Sequence, residues 1–186
     1  MRAELELSTS AINQKDSKGR TPLAWASARG DEQSVRTLLE FGADPNISCA
    51  TGNSPLLRSV RARSPECIGL LLQHGANVRS KIRDKDGWTA LLRAANSNSH
   101  SVLKLLLEHN ADHRAITFRN ETILHFVASK GDNKTLAILS EFALKDLDIN
   151  AKDHKDQTAA DVMALRSPQP SQIAASFRSL LESLIH

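Results

Sequence analysis

Five times along this chain of 186 residues a Thr or Ser precedes a short apolar start. The five are Thr21-Pro22-Leu23, Ser54-Pro55-Leu56, Thr89-Ala90-Leu91, Thr122-Ile123-Leu124 and the degraded Thr158-Ala159-Ala160. They fall 33, 35, 33 and 36 residues apart. In the first, the Thr21 hydroxyl is placed to cap a helix, and Pro22 sits where its missing N–H costs nothing. Leu23, Ala26 and Ser27 face one side until Gly30 stops that helix. Asp31 then caps a second helix, whose Val35, Leu38 and Leu39 share a face, and Gly42 supplies its left-handed terminus. Such a pair cannot cover its own apolar side, so the repetition demands that neighbouring pairs stack.

A period near 33 that opens on Thr-Pro-Leu resembles the ankyrin repeat, and the resemblance covers about residues 12 to 186. It implies an all-α solenoid of stacked helix–turn–helix units joined by short β-turn or hairpin connections. The expected division is a partial repeat or cap over 1–13 and units over 14–46, 47–79, 80–114, 115–150 and 151–186. Leu5 and Ile12-Asn13 stand one period before Leu38 and Pro45-Asn46. They read as the end of an earlier repeat, either a piece of a longer array or a makeshift cap.

The later units drift. Ser80 to Arg83 holds a two-residue expansion, Asn110 takes a terminal glycine position, and Ser140 and Ala143 replace Leu and Gly in the fourth unit. Asp156 stands in a glycine place, and Ser167 to Pro170 breaks the chain before a last helix carrying Ile173, Phe177, Leu180, Leu181 and Leu184. The family's usual fourth motif residue is His; here it is Ala24, Leu57, Leu92, His125 and Asp161, so only His125 matches. That exchange predicts a stack held mostly by apolar contact, with His125 structural.

Composition excludes several functions. Two cysteines, Cys49 and Cys67, make neither a disulfide framework nor a metal quartet. No stretch approaches a transmembrane span, and the opening residues lack the apolar core of a signal peptide, so an intracellular protein, cytoplasmic or nuclear, is expected. His109 and His113 are four apart, but Asn110 ends the helix between them, so no metal is expected. Glycines occur singly at repeat turns, with no phosphate cradle, nucleophile elbow or paired carboxylates. Neither a cofactor nor an enzyme is expected.

What remains is surface. The resemblance implies a concave binding face built from hairpin tips and the exposed ends of first helices. Carried over by register, its chemistry falls on Lys18, Arg20, Arg29, Arg61, Lys85, Trp88, Phe118, Arg119, Lys130 and Lys155. Eight Lys or Arg stand against two acids there, Asp86 and Glu121, although the chain as a whole has 24 against 21. Aromatics beside arginines are common binding hot spots, which makes Trp88 and Phe118 the expected anchors. The expected function is non-catalytic binding of a protein partner, an acidic segment fitting this face best. An alternative is a recognition or regulatory portion of a larger multidomain signalling protein or enzyme. Nucleic-acid binding is the weaker rival, because no basic run or stacking series accompanies the charge.

Overall fold

The repeat starts become helix starts. The computed structural model describes residues 11–79, 86–142, 144, 146–166 and 171–185. Most of the partial first repeat, the expansion at 80–83, Lys85, Ala143 and the break at 167–170 therefore lie outside the described residues. The chain forms two compact units, Met1–Lys85 and Asp86–His186. Among the described residues there are ten helices and no strand.

The first unit contains α1 (Pro22–Arg29), α2 (Glu32–Glu40), α3 (Pro55–Ala62) and α4 (Pro65–Gln73). In it α1 packs on α3 and α2 on α4. The second contains α5 (Ala90–Asn96), α6 (His100–Glu108), α7 (Ile123–Lys130), α8 (Asn133–Glu141), α9 (Ala159–Arg166) and α10 (Gln172–Ser183). There α5, α7 and α9 make one row, and α6, α8 and α10 the other.

The caps act as the sequence requires. Thr21, Ser54 and Thr89 accept the N–H of Ala24, Leu57 and Leu92 at 3.2, 3.2 and 3.3 Å. Pro22 and Pro55 open α1 and α3. Asp31 and Ser64 cap the second helices of their pairs in the same way. Asn110 and Asp156 do take up the left-handed backbone of the glycines they replace, at φ 58° and 62°.

Burial follows the stripes. Leu23, Ile68, Leu71, Leu91, Leu103, Leu106, Leu124 and Leu139 are closed to solvent. Each such side chain contributes about 1.5–3 kcal/mol on burial. Leu38, the counterpart of Leu71, is only half-buried. Ala24, Leu57 and Leu92, at the family's His position, are buried apolar contacts, as expected.

The two polar residues at that position, His125 and Asp161, keep the helix start bonded. His125 Nδ1 accepts from the Thr122 N–H at 3.2 Å and lies 2.9 Å from its hydroxyl, while Nε2 lies 3.0 Å from Gln157 O. With the proton on Nε2, the ring closes its own helix start and holds the next repeat. Asp161 also closes its helix reciprocally, accepting from Thr158 N and Oγ1 and donating its N–H to Thr158 Oγ1.

Further polar joins link repeats within each unit. Asn13 Oδ1 accepts the Asp44 N–H at 2.9 Å, and Asn46 Oδ1 accepts the Asn77 N–H at 2.8 Å. In the second unit His100 Nε2 meets Asp132 at 2.9 Å, and Thr135 donates to Asn98 Oδ1 at 3.0 Å. Arg166 donates to the carbonyls of Ala128 and Gly131, the C-terminal acceptors of α7. Adjacent hairpin tips are joined by one backbone bond. Ala50 N donates to Lys18 O, Phe118 N to Asp86 O and His154 N to Arg119 O.

Leu106→Ala should lower stability by about 2–5 kcal/mol in denaturant titration, because the site is closed on all sides. Acid should also loosen the fold. Burial opposes ionisation of Asp132, but the Thr135 N–H and His100 outweigh it, and Thr158 lowers Asp161 directly. A depressed folded pKa stabilises above the unfolded carboxylate range, and that contribution is lost as pH falls through the folded values. Denaturation midpoints should thus hold from neutrality to about pH 4 and decline below it.

Candidate interaction surfaces

Each hairpin whose first residue is described is closed by a side-chain acceptor at that residue. Asp16 Oδ1 accepts the N–H groups of Lys18 and Arg20, both at 2.9 Å. Thr117 Oγ1 accepts from Arg119 and Glu121, and Asp153 Oδ1 from Lys155 and Gln157. These closures aim the tip residues, including the sequence-derived candidates Lys18, Arg20, Arg119 and Lys155.

Cys49 stands at this position in the second hairpin. Its Sγ lies 3.2 Å from Thr51 Oγ1 and accepts from Arg58 Nη2 at 3.3 Å. Burial alone would push the thiol up, but those two groups and the Thr51 and Asn53 N–H groups bring its pKa down to about 7. Cys67, also a free thiol, is raised by its burial.

In the first unit the face centres on Trp25. The Arg20 guanidinium lies 4.0 Å from the indole centroid and that of Arg29 5.9 Å. Arg20 is also committed to Asp16, with Nε and Nη2 both 2.7 Å from Oδ2. This pairing holds the Asp16 carboxyl well below the usual carboxylate range, and the Trp25 Nε1–H adds a bond at 3.2 Å. Lys18, Arg29 and Arg61 are exposed, and Arg58 on α3 is half-buried.

The second unit contains an open groove of about 480 Å³. Trp88 and Phe126 form its aromatic wall, with ring centroids 4.6 Å apart and planes inclined by 34°. The Arg93 guanidinium lies over Trp88, 4.7 Å from the ring centroid. Arg119, Lys130 and Lys155 line the groove together with Asp86, Glu121 and Asp153, so the signs alternate. Asp153 belongs to the hairpin closure, and Glu121 accepts the Thr117 hydroxyl.

Phe118 is not in the groove lining; it stands 68% exposed on the hairpin tip. There it covers Gly87, whose φ is +84°, and an added Cβ on Gly87 would sit 2.5 Å from the Phe118 nitrogen. That position therefore needs glycine. Trp88, Arg119, Lys130 and Lys155 are brought together, Arg20 and Arg29 meet at Trp25, and Lys85 falls outside the described residues.

A profile described as "Ankyrin repeats (3 copies)" matches residues 4–82, 42–117 and 79–153. The chain belongs to the ankyrin repeat family. Among its relatives is the E3 ubiquitin-protein ligase KEG of Arabidopsis thaliana, 31% identical over 146 residues, covering 77% of this chain and 9% of that protein. Mouse Rabankyrin-5 is 38% identical over 71 residues, covering 38% of this chain and 6% of the relative. The human DNA-binding protein RFXANK is 43% identical over 56 residues, 30% of this chain and 22% of that protein. The chain thus spans less than a quarter of each of these three relatives.

Two features of the ankyrin faces escaped the sequence reading. One is the column four residues after each first-helix cap: Trp25, Arg58, Arg93 and Phe126. Its departure from Ala and Leu was the available signal. The other is Cys49, visible only once the hairpin acceptors are aligned with Asp16, Thr117 and Asp153. Among the described residues no group of three or more His, Cys, Asp or Glu could hold a metal ion. None of the described helices is long and apolar enough to cross a membrane.

The thiol offers a direct check on this geometry. In Cys67→Ser, ultraviolet thiolate absorbance from Cys49 should titrate with a midpoint near pH 7. Arg58→Gln should move that midpoint upward, because the guanidinium favours the charged sulfur. A Cys49 midpoint at or above the ordinary thiol range would contradict the contacts described.

Proposed function

We propose that this ankyrin array is a non-catalytic interaction module that takes an acidic protein segment on the face formed by its hairpin tips and first helices. The single observation that carries the reading is the groove beside Trp88 and Phe126, with Arg119, Lys130 and Lys155 at its edge. An aromatic wall offers area that a partner side chain can cover with little loss of rotamer freedom, and rim cations accelerate encounter with an acidic partner. Ankyrin repeats generally mediate protein–protein contact, and the relatives carry them as parts of much larger proteins. Membership in such a larger assembly is therefore the companion reading for this chain, favoured by the small share of each relative it spans. The DNA-binding name of one relative is a property of that protein. The alternating carboxylates of the groove favour a peptide over a polyphosphate backbone.

Affinity capture followed by mass spectrometry supplies partners, and two variants then separate the roles. Lys130→Glu should slow association and flatten its salt dependence, because Lys130 is a rim charge. Trp88→Ala should raise the dissociation rate, at a cost of about 2 kcal/mol for a central anchor. Helical content should be unchanged in both. Undiminished binding by both variants would rule this groove out.

A further inference from the structure

The first unit carries a different chemistry from the groove. Four arginines, Arg20, Arg29, Arg58 and Arg61, and one lysine, Lys18, lie on its hairpin and first-helix side. The Asp16 carboxylate on that side already accepts from the Lys18 and Arg20 N–H groups, the Arg20 guanidinium and the Trp25 indole. It has little left to offer the others.

Arg29 has the Asp31 carboxylate near it, whereas Arg58 and Arg61 are held by weak partners. Arg58 Nη2 donates to the Cys49 sulfur at 3.3 Å, and its Nε is buried without a hydrogen-bond partner. Arg61 Nη1 reaches only the amide oxygen of Asn53, at 3.5 Å. Arg58 and Arg61 are three residues apart on α3, hence neighbours on one helical face. α1 packs on α3, and by register Arg29 at the end of α1 is the counterpart of Ala62, the residue after Arg61, on α3. A buried, unbonded donor is costly and calls for an acceptor.

We propose that Arg29, Arg58 and Arg61 form a recognition site for a phosphorylated side chain on a protein segment bound by this array. The proposal rests on the protein-interaction reading above but concerns a separate set of residues. Guanidinium forks match phosphate oxygens two at a time, whereas an ammonium acts as a point charge. A phosphomonoester carries about −1.5 to −2 charge and three acceptor oxygens, enough to serve several forks at once, which one carboxylate cannot do. A nucleic-acid strand fits less well. The Trp25 ring already carries Arg20 at 4.0 Å and Arg29 at 5.9 Å, so it is no open platform for a base.

The test needs no identified partner. The full chain, labelled with nitrogen-15, is titrated at neutral pH with phenyl phosphate, dimethyl phosphate and acetate while the arginine Nε–Hε signals are followed. Phenyl phosphate should shift Arg29, Arg58 and Arg61 saturably, at least about tenfold more tightly than the other two ions. Arg61→Gln, an exposed change that leaves the fold intact, should weaken that binding about tenfold. Arg36→Gln, at an arginine paired with Glu32 on α2, should leave it unchanged. Equal response to dimethyl phosphate would overturn the proposal in favour of a phosphodiester backbone, and equal response to acetate in favour of an ordinary acidic peptide. Non-saturable shifts spread over all arginines would mean that no site exists. Any of these failures would leave the Trp88 and Lys130 measurements standing, and loss of the groove reading would leave the phosphate titration unaffected.

Discussion

No helix pair in this protein can stand by itself. The described helices run from seven to twelve residues, too short to persist on their own in water. Stability must therefore come from contacts between neighbouring pairs within each unit, where the apolar stripes are closed to solvent. Polar bonds between repeats are specific. His125 to Gln157, Asn46 to Asn77 and Thr135 to Asn98 each fix a register that Leu and Ala contacts alone would leave loose.

That dependence explains which parts of the fold could be read from the amino acids. Caps, prolines and apolar stripes are local instructions, repeated at a nearly constant interval, so helix starts at Pro22, Pro55, Ala90, Ile123 and Ala159 follow directly. Even the substitutions were interpretable, since Asn110 and Asp156 tolerate the backbone that glycine adopts elsewhere. Asp161 was less transparent. It departs from the family residue yet restores the same reciprocal cap, an equivalence that depends on side-chain reach rather than residue type.

The faces were legible only in part. Register placed Trp88, Arg119, Lys130 and Lys155 on one side, and they do share a groove. It gave no indication that Phe126 backs Trp88, or that Arg20 is bound to Asp16 and laid on Trp25. Counting charges along the chain treats every cation as equal. In the folded protein Arg20 is neutralised by its neighbour, whereas Arg58 keeps a donor with no acceptor. The two units thereby present unlike surfaces, one centred on an aromatic wall and the other on guanidinium groups.

The backbone bonds between hairpin tips have a further implication. In each of the three, the later repeat contributes the N–H and the earlier one the carbonyl. The seam therefore has a direction, like a polymer whose monomers carry a donor at one end and an acceptor at the other. A repeat inserted in the same orientation meets a matching group on both sides. One inserted in reverse would set carbonyl against carbonyl, so the tips restrict growth of such arrays to a single head-to-tail sense.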